Sequence, residues 1–290
     1  MRTQRRNKLL KRRLNRSWGG TLALFFLLTL FALFMGLPLI VVVNRAFMPL
    51  DEIFIFPPRF IVRRPTLVNF SDMVTVMASS WVPFSRYILN SVIIVGIGTA
   101  GHLLIASMAA YPLAKINLPG KNLLFSMVVL SLMFSGAVTA IPGYMIVTWL
   151  GINNTHAAII IPFFCYSLGL YLMKQFMEQL PDSLIESARL DGASEYMVFF
   201  RIVMPNVKPA WLTLIIFAFG SLWGNTGGQF LRSEQLKPLA AAFQTLQAGG
   251  IARIGAFSAV SLVNMLVPIT IFIISQSNIL QTMATSGMKE

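Results

Sequence analysis

Residues 122–173 read NLLFSMVVLSLMFSGAVTAIPGYMIVTWLGINNTHAAIIIPFFCYSLGLYLM, a stretch without one Asp, Glu, Lys or Arg. A helix needs about 20 apolar residues to cross the roughly 30 Å hydrocarbon core of a bilayer, so this stretch is long enough for two crossings. Four further stretches lack these charged residues, at 17–44, 87–114, 209–231 and 254–288. The pattern predicts an all-α integral membrane protein with six transmembrane helices.

The composition excludes an ordinary soluble domain. Charged residues make up 11% of the 290 positions, whereas soluble domains carry about 25%. The hydrophobic share of 56% also excludes intrinsic disorder, because disordered chains lack the apolar residues needed for a core. The single cysteine, Cys165, excludes an internal disulfide framework and a cysteine-ligated metal cluster.

Enzyme motifs are absent from the sequence as well. The chain has no G-x-x-x-x-G-K-[ST] phosphate-binding loop, because Gly120-Lys121 is followed by Asn122 and lacks the first glycine. Neither H-E-x-x-H nor G-x-S-x-G occurs, so nothing supports a metalloprotease or a serine hydrolase. We therefore predict no catalytic residue, no metal ligand and no cofactor in this chain.

Charges and turn signals divide the chain into five predicted parts. They are a basic cytoplasmic tail (1–17), a first transmembrane helix (18–43), a proline-rich extracytoplasmic segment (44–85), a transmembrane domain (86–279) and a cytoplasmic C-terminal tail (280–290).

The transmembrane domain is predicted to hold helices two to six. The turn signal Gly151-Ile152-Asn153-Asn154 splits the longest uncharged block into helices three and four. We expect an interruption of the third helix at Pro142-Gly143, because proline removes a helical hydrogen-bond donor. The predicted bounds of the five helices are 87–113, 123–150, 155–173, 209–223 and 255–275.

The distribution of basic residues predicts the orientation. Eight of the 23 Lys and Arg residues lie in the first sixteen positions, next to a membrane helix, where they indicate contact with anionic lipid rather than with nucleic acid. With the N-terminus inside, the inner segments hold 15 basic residues and the outer segments hold 8. The positive-inside rule then places both termini in the cytoplasm.

The charged stretch between helices four and five predicts a helix–glycine–helix unit. Ser183 and Glu186 have the spacing of a capping box that begins a short helix. Gly192 lies where a left-handed residue ends it, and Ser194 is suited to cap the second helix. Pro205 then closes that helix or bends the chain into the next span.

This stretch carries a resemblance to a known family. Glu186-Ser187-Ala188, three residues, Gly192, nine residues, Ile202, one residue and Met204-Pro205 resemble the E-A-A-x3-G-x9-I-x-L-P loop of ABC-importer permease subunits, with Ser187 and Met204 as departures. Together with 140–144, 150–155 and the ending 286–290, the chain is similar to the six-helix second permease of maltose-type systems in the carbohydrate-uptake branch. The resemblance covers residues 85–290.

The resemblance implies a function and a set of partners. The chain would be a permease subunit in the bacterial cytoplasmic membrane, forming half of the pathway for a sugar or oligosaccharide. It would pair with a homologous second permease, two ATPase subunits that bind ATP and Mg²⁺, and an extracellular or periplasmic solute-binding protein. The loop at 178–207 would couple it to the ATPase. The implied coupling residues are Glu186, Ser187, Ala188, Asp191, Gly192, Ala193, Ile202 and Pro205; the implied ATPase-contacting tail is Ser286, Gly287, Met288 and Lys289.

Trp223, Asn225 and Asn264 are candidates for the solute route. An aromatic face beside amide side chains suits a sugar, although interhelical hydrogen bonds of Asn are also common in membranes. The predicted spans contain no Asp, Glu, Lys or Arg, which suits a neutral solute. The stretch from Trp223 to Lys237 departs from the family pattern, so the substrate class stays open. The rival hypotheses are a stand-alone secondary transporter or channel for a small neutral solute, and a membrane scaffold.

Overall fold

A computed structural model describes residues 18–57, 59–78 and 81–286, and all regular structure in these ranges is helical. The predicted basic tail at 1–17 and tail residues Gly287, Met288 and Lys289 lie outside the described residues. The α-helices are α1 Trp18–Phe47, α2 Leu50–Ile53, α3 Val68–Ala78, α4 Phe84–Lys115, α5 Lys121–Ser131, α6 Gly136–Trp149, α7 Ala157–Phe164, α8 Ser167–Glu178, α9 Asp182–Leu190, α10 Glu195–Val198, α11 Met204–Asn206, α12 Lys208–Trp223, α13 Leu239–Ala248 and α14 Ile254–Ser286. A π-helical turn, Phe199–Val203, joins α10 to α11, and 3-10 turns lie at Glu234–Leu236 and Gly250–Arg253.

Four helical stretches are long and apolar enough to cross a membrane. They are α1, α4, the α7–α8 unit and Ile254–Ile274 of α14. Two bent pairs pass the same test when each is taken as one span: α5 with α6, bent by 110°, and Glu195–Asn206 with α12, bent by 79°. The described residues therefore hold four spans, or up to six.

The prediction of an interruption at Pro142-Gly143 is wrong. Pro142 lies inside α6, and the chain breaks earlier, between Ser131 and Gly136. Ser135 is extended there, and its carbonyl accepts the N–H groups of Val138 and Thr139 at 3.1 and 3.3 Å. Proline is tolerated inside apolar membrane helices. The new helix, α6, instead begins at Gly136, after the extended residue Ser135.

The predicted end of the fourth helix at Met173 is also wrong, because α8 continues to Glu178. Lys174 and Glu178 lie one turn apart and form an ion pair at 2.6 Å, so the charges do not stop the helix. The same unit breaks at Cys165, where α7 ends after Pro162. The sixth helix likewise runs beyond its predicted end, to Ser286.

Helix α4 lies at the centre of the packing. It contacts α7, α8 and α12, while α14 packs against α1, α3, α12 and α13. A buried cluster joins the C-terminal half of α4 to α8 and to the segment that follows α8. Its buried members are Ala106, Ala110, Tyr111, Met173, Met177, Ile185, Ala188, Val198, Phe199, Val203, Val207, Ala210 and Leu214.

The predicted extracytoplasmic segment is tied to the end of α1. The buried amide of Asn69 donates to the carbonyls of Ala46 at 3.0 Å and Met48 at 2.8 Å. Buried Glu52 accepts the backbone N–H of Arg63 at 3.2 Å and pairs with Arg59 at 3.6 Å. Because buried donors and carboxylates need partners, these bonds fix the fold of the segment.

Candidate functional site

The candidate site is the coupling segment, residues 182–206, which begins with α9. Helix α9 starts after Pro181, without a side-chain cap. The capping-box prediction is therefore wrong: Ser183 lies inside the helix, where its carbonyl accepts the hydroxyl of Ser187 at 2.8 Å. Pro181 has extended backbone and its fixed φ suits a helix start. Ile185 is buried, whereas Leu184 is exposed.

Gly192 ends α9, as predicted from the sequence. Its φ of +83° lies in the left-handed region, where residues other than glycine are strained. The N–H of Gly192 donates to the Arg189 carbonyl and that of Ala193 to the Ala188 carbonyl, both at 3.0 Å. This pair of bonds is the Schellman motif, which satisfies the last carbonyls of the helix.

The second limb of the segment begins at Ser194, whose hydroxyl accepts the N–H of Met197 at 3.4 Å. This cap confirms the predicted start. The i, i+3, i+4, i+7 spacing of Tyr196, Phe199, Phe200 and Val203 predicts one apolar face on a regular helix. In the structure this face is divided: Phe199 and Val203 are buried, whereas Tyr196 and Phe200 are exposed. The π-helical turn widens the spiral at Phe199–Val203, so the regular helical spacing assumed from the sequence does not hold there.

One hydrogen bond to a carboxylate and one ion pair hold the coupling segment against α4. Glu195 receives hydrogen bonds from Tyr111 at 2.7 Å and from Arg189 at 2.8 Å. Lys115, almost fully buried, forms an ion pair with Asp182 at 2.6 Å and also donates to the Glu178 carbonyl at 3.3 Å. The hydrogen bond from Lys115 and its positive charge lower the pKa of the Asp182 carboxyl.

The coupling residues implied by the family resemblance divide by exposure. Ala188 is buried, Ala193 and Ile202 are half-buried, and the other five are exposed. Glu186 makes no side-chain hydrogen bond or ion pair with another described residue. An exposed and unpaired carboxylate beside the turn is therefore available to a partner. The exposed members are Glu186, Ser187, Asp191, Gly192 and Pro205.

Two of the three candidates for the solute route lie together. The indole N–H of buried Trp223 donates to the backbone carbonyl of Asn264 at 3.1 Å, and its ring stacks on Phe219 with centroids 5.4 Å apart. The Oδ1 of Asn264 is buried and has no partner among the described residues. Asn225 lies two residues beyond Trp223, in the chain after α12, where its side chain accepts the N–H of Gly227 at 2.8 Å.

Trp223 and Phe219 line an apolar cavity between α4, α12 and α14, with a volume of about 460 Å³. Its walls are almost entirely hydrocarbon, and the other lining residues include Gly96 and Thr99 of α4. A wall of this kind offers few hydrogen bonds to a hydroxyl-rich solute. The geometry thus places Trp223 at a helix–helix junction.

Sequence reasoning missed the polar residues that hold the α12–α13 connector, residues 224–238. Asn154, at a φ of +58°, accepts the N–H groups of Arg232 and Ser233 at 3.0 and 2.8 Å. His156 lies 3.1 Å from the Leu236 carbonyl. The sequence Asn153-Asn154 does predict a turn, because Asn tolerates the left-handed region. A turn signal does not show which distant residues the Asn154 side chain will contact.

Comparison with known proteins identifies the family of the chain. Residues 102–277, more than half of the chain, match the family described as binding-protein-dependent transport system inner membrane component. The chain is 40% identical over 142 residues to Protein LplC of Bacillus subtilis, covering 49% of this chain and 48% of LplC. It is 32% identical over 196 residues to the polygalacturonan/rhamnogalacturonan transport system permease protein YtcP of the same organism, covering 68% and 66%.

A third relative is matched along nearly its whole length. The putative ABC transporter permease protein ORF2 of Caldicellulosiruptor is 29% identical over 272 residues, covering 91% of this chain and 96% of that protein. The chain thus spans about half the length of LplC and about two thirds of YtcP.

The fold is also found in solved structures. A chain of a bacterial ABC transporter that imports the acidic polysaccharide alginate superposes with a TM-score of 0.77 at 19% identity, covering 89% of this chain and 95% of that one. A second structure, of an alginate transporter in complex with a pentasaccharide-bound periplasmic protein, gives a TM-score of 0.54 at 16% identity, covering 88% and 90%. The chain belongs to the family of inner membrane components of binding-protein-dependent transport systems.

Proposed function

We propose that this chain is a membrane-spanning permease subunit of an ATP-driven importer for a sugar or oligosaccharide. It forms half of the translocation pathway, together with a homologous second permease, two cytoplasmic ATPase subunits and an extracytoplasmic solute-binding protein. ATP and Mg²⁺ bind to the ATPase subunits. Both termini of the chain lie in the cytoplasm, and the coupling segment faces the ATPase.

The coupling segment is the observation that carries this proposal. Leu190 is 89% exposed and Tyr196 is 70% exposed, so the segment offers apolar side chains on the outside of a packed turn. Glu186 lies one turn before Leu190 in α9 and has no ion pair among the described residues. Burial of such side chains in a partner is favourable, and a carboxylate adds a directional contact to a basic group or a backbone N–H.

The substrate class is inferred from relatives and from the chain itself. The name of YtcP refers to polygalacturonan and rhamnogalacturonan, and the similar solved structures transport alginate. The described spans carry few charged side chains, which suits a solute that is recognised by hydroxyl groups. A stand-alone secondary transporter is disfavoured, because such carriers use ionisable groups inside their spans.

Coupling is tested with two substitutions in the reconstituted importer. Glu186→Lys reverses the exposed charge, and Gly192→Pro forbids the positive φ, since proline fixes φ near −65°. Both variants are expected to reduce solute-stimulated ATP hydrolysis to the unstimulated rate while the permease still inserts and assembles. Asp72→Lys is the matched control, because it makes the same charge reversal on α3, away from the coupling segment.

Two results would contradict the coupling role. One is normal stimulation in both variants at equal assembly, and the other is an equal loss in Asp72→Lys. A purified permease that retains no ATPase in mild detergent would instead support the stand-alone transporter.

The C-terminal tail forms a second proposed contact with the ATPase subunits. Ser286 is the last described residue of α14, and Gly287, Met288 and Lys289 follow it. Deletion of residues 286–290 is expected to change ATPase activity by more than it changes expression. Unchanged activity per assembled complex would show that these residues are only a chain end.

The proposal also includes a solute route past Trp223, Asn225 and Asn264. Transport of several sugars by Trp223→Ala and Asn264→Ala tests it, with Asn225→Ala as a variant outside the helix junction. A role in the route predicts a changed ranking of the sugars. If all rates fall together, the indole–carbonyl bond serves the helix bundle alone.

A further inference from the structure

Helix α4 is bound by polar contacts at both of its ends, and each end holds a different distant segment. Its C-terminal end contacts the coupling segment, and its N-terminal end contacts the α12–α13 connector. None of these contacts belongs to the motif by which the family is recognised. They suggest a mechanical role for α4 within the proposed importer.

At the C-terminal end, two side chains of α4 contact the coupling segment, one at α9 and the other at the helix that begins at Glu195. Tyr111 donates to Glu195 of the second limb at 2.7 Å, and its ring lies 5.6 Å from that of Phe199. Lys115 pairs with Asp182, at the start of the first limb, at 2.6 Å. Hydrogen bonds to charged groups are stronger than neutral ones, so this end of α4 follows the segment when the segment moves.

At the N-terminal end, two adjacent residues of α4 bind the backbone of the connector and of the first residue of α13. Asn90 donates to the carbonyls of Gln235 and Lys237 at 2.8 and 2.9 Å, and the hydroxyl of Ser91 accepts the N–H of Leu239 at 2.8 Å. Both side chains are buried. Tyr87 adds a hydrogen bond to Glu234 at 2.8 Å.

The carboxyl of Glu234 is held as an anion at this end. Burial of Glu234 opposes ionisation, but hydrogen bonds from Lys237 and Tyr87 outweigh it, and its pKa lies below the usual value. The contact between Tyr87 and the connector is thus charge-assisted at neutral pH.

Between these ends α4 is an unbroken helix of 32 residues, which spans about 48 Å at 1.5 Å per residue. Its Pro112 lies in the last turn, so helical structure is continuous from Tyr87 to the turn that holds Tyr111. It packs against α7, α8 and α12 between its two ends. A rigid element with a firm attachment at each end is the physical requirement for transmitting a displacement.

We propose that α4 carries movement of the coupling segment across the membrane to the α12–α13 connector, with Tyr111 and Lys115 as the positioning residues of this link. The inference rests on the proposed function, since the movement is driven by an ATPase subunit. It adds a defined path: the segment moves α4, and α4 moves residues 234–239.

The test measures movement of the connector in the complete importer complex. In a Cys165→Ser background, spin labels are attached to cysteines at Ser71 of α3 and Gln235 of the connector, both exposed. The distance between the labels is recorded by double electron–electron resonance without nucleotide and after trapping with ADP and vanadate. No solute is needed, so the unidentified substrate does not enter the measurement.

Trapping is expected to shift this distance in the otherwise unmodified complex. Tyr111→Phe removes only the hydroxyl that binds Glu195, and we expect it to reduce the shift at least about twofold. Glu195→Gln and Lys115→Met are expected to act in the same direction, and Lys115→Arg to retain most of the shift. A role limited to packing would lower thermal stability but leave the shift per assembled complex unchanged.

Tyr171→Phe is the matched control, because it removes a tyrosine hydroxyl that makes no hydrogen bond with other described residues; the ring stacks on Phe125. Equal shifts in Tyr111→Phe and Tyr171→Phe would overturn the inference, as would the absence of any shift in the unmodified complex. Absence of the ATPase from the complex would overturn the proposed function itself. The two failures are therefore distinguishable.

Discussion

The side chain of His102 provides a hydrogen-bond partner at the break between α7 and α8. The ring is fully buried, and its Nδ1 lies 3.2 Å from the carbonyl of Phe164, the last residue of α7. That carbonyl has lost its helical partner at the break, so the imidazole satisfies a group that would otherwise be costly in hydrocarbon. His102 thus links α4 to the end of α7.

Gly169 leaves the space that this ring occupies. A methyl group on Gly169 would overlap the Nε2 of His102 and come within 2.9 Å of Leu214 Cδ1. We predict that Gly169→Ala lowers stability by about 1–3 kcal/mol, the usual cost of overfilling a packed site. The measurement is the midpoint of thermal aggregation in detergent.

Gly143→Ala is the control for this prediction, since nothing lies within 4 Å of the added methyl group in α6. Alanine favours a helix over glycine by about 1 kcal/mol, so this variant is expected to be as stable as the parent or slightly more so. Equal midpoints for the two variants would show that the His102 site is not tightly packed.

At the scale of the elements, Asn69 anchors the end of α1 to α3. Its two amide hydrogens reach carbonyls at Ala46 and Met48, with a third carbonyl, of Arg45, at 3.3 Å. We predict that Asn69→Asp, which replaces this donor by an acceptor, destabilises the protein by about 1–3 kcal/mol, because buried carbonyls lose their partner. The readout is thermal aggregation, with limited proteolysis at residues 44–67. Asn117→Asp, on an exposed loop, should be neutral; a similar loss there would contradict the anchor.

Pro205 gives a physical reason for the π-helical turn that precedes it. A residue at 205 would normally donate to the carbonyl of Arg201, and proline has no N–H to offer. The turn at Phe199–Val203 is wider than an α-turn and adapts the chain to this gap.

We predict that Pro205→Ala restores a regular helix, rotates Phe199 and Val203 out of their buried positions, and reduces solute-stimulated ATP hydrolysis about two- to thirtyfold. Stimulation is measured per assembled complex. Pro119→Ala, in the exposed loop before α5, is the control. Full stimulation in Pro205→Ala would show that the turn does not depend on the proline.

The contrast between α4 and the α5–α6 pair shows which elements the sequence could predict. Charge-free blocks indicated the main helices, because each must bury an apolar length in the bilayer. The breaks after Ser131 and at Cys165 could not be found this way, since the apolar pattern runs through both. Pro142 is a misleading signal, because a proline inside an apolar helix does not always end it.

The candidate site was predictable to a similar degree. Gly192 and Ser194 are local signals, and their cap geometry was read from a few neighbouring residues. The contact between Tyr111 and Glu195 joins residues 84 positions apart, and no local pattern encodes it. The contacts of the α12–α13 connector were missed for the same reason.

At the scale of the whole molecule, the exposed surface indicates what surrounds the protein. Helix α1 is apolar on nearly all sides, and its strongest contact is with α14. Such a surface requires lipid or another membrane subunit around it. Charges lie instead in the connecting segments, as in the loop between α2 and α3, where Arg59 and Arg64 pair with Glu52 and Asp51. These pairs reduce the positive charge of the segment that the positive-inside rule placed outside.

The orientation and the number of spans can be tested together by the accessibility of single cysteines. In a Cys165→Ser background, Asn117→Cys lies between α4 and α5, and Thr155→Cys lies between α6 and α7; both positions are exposed. If the bent α5–α6 pair is one span, these positions lie on opposite sides of the membrane. If the pair is a re-entrant loop, they lie on the same side.

We predict that an impermeant maleimide labels Thr155→Cys in intact cells, and Asn117→Cys only after permeabilisation. Ser71→Cys, in the predicted extracytoplasmic segment, should behave like Thr155→Cys. If Asn117→Cys is labelled from outside and Thr155→Cys is protected, the predicted orientation is wrong. If both are labelled from outside, the six-span arrangement is wrong.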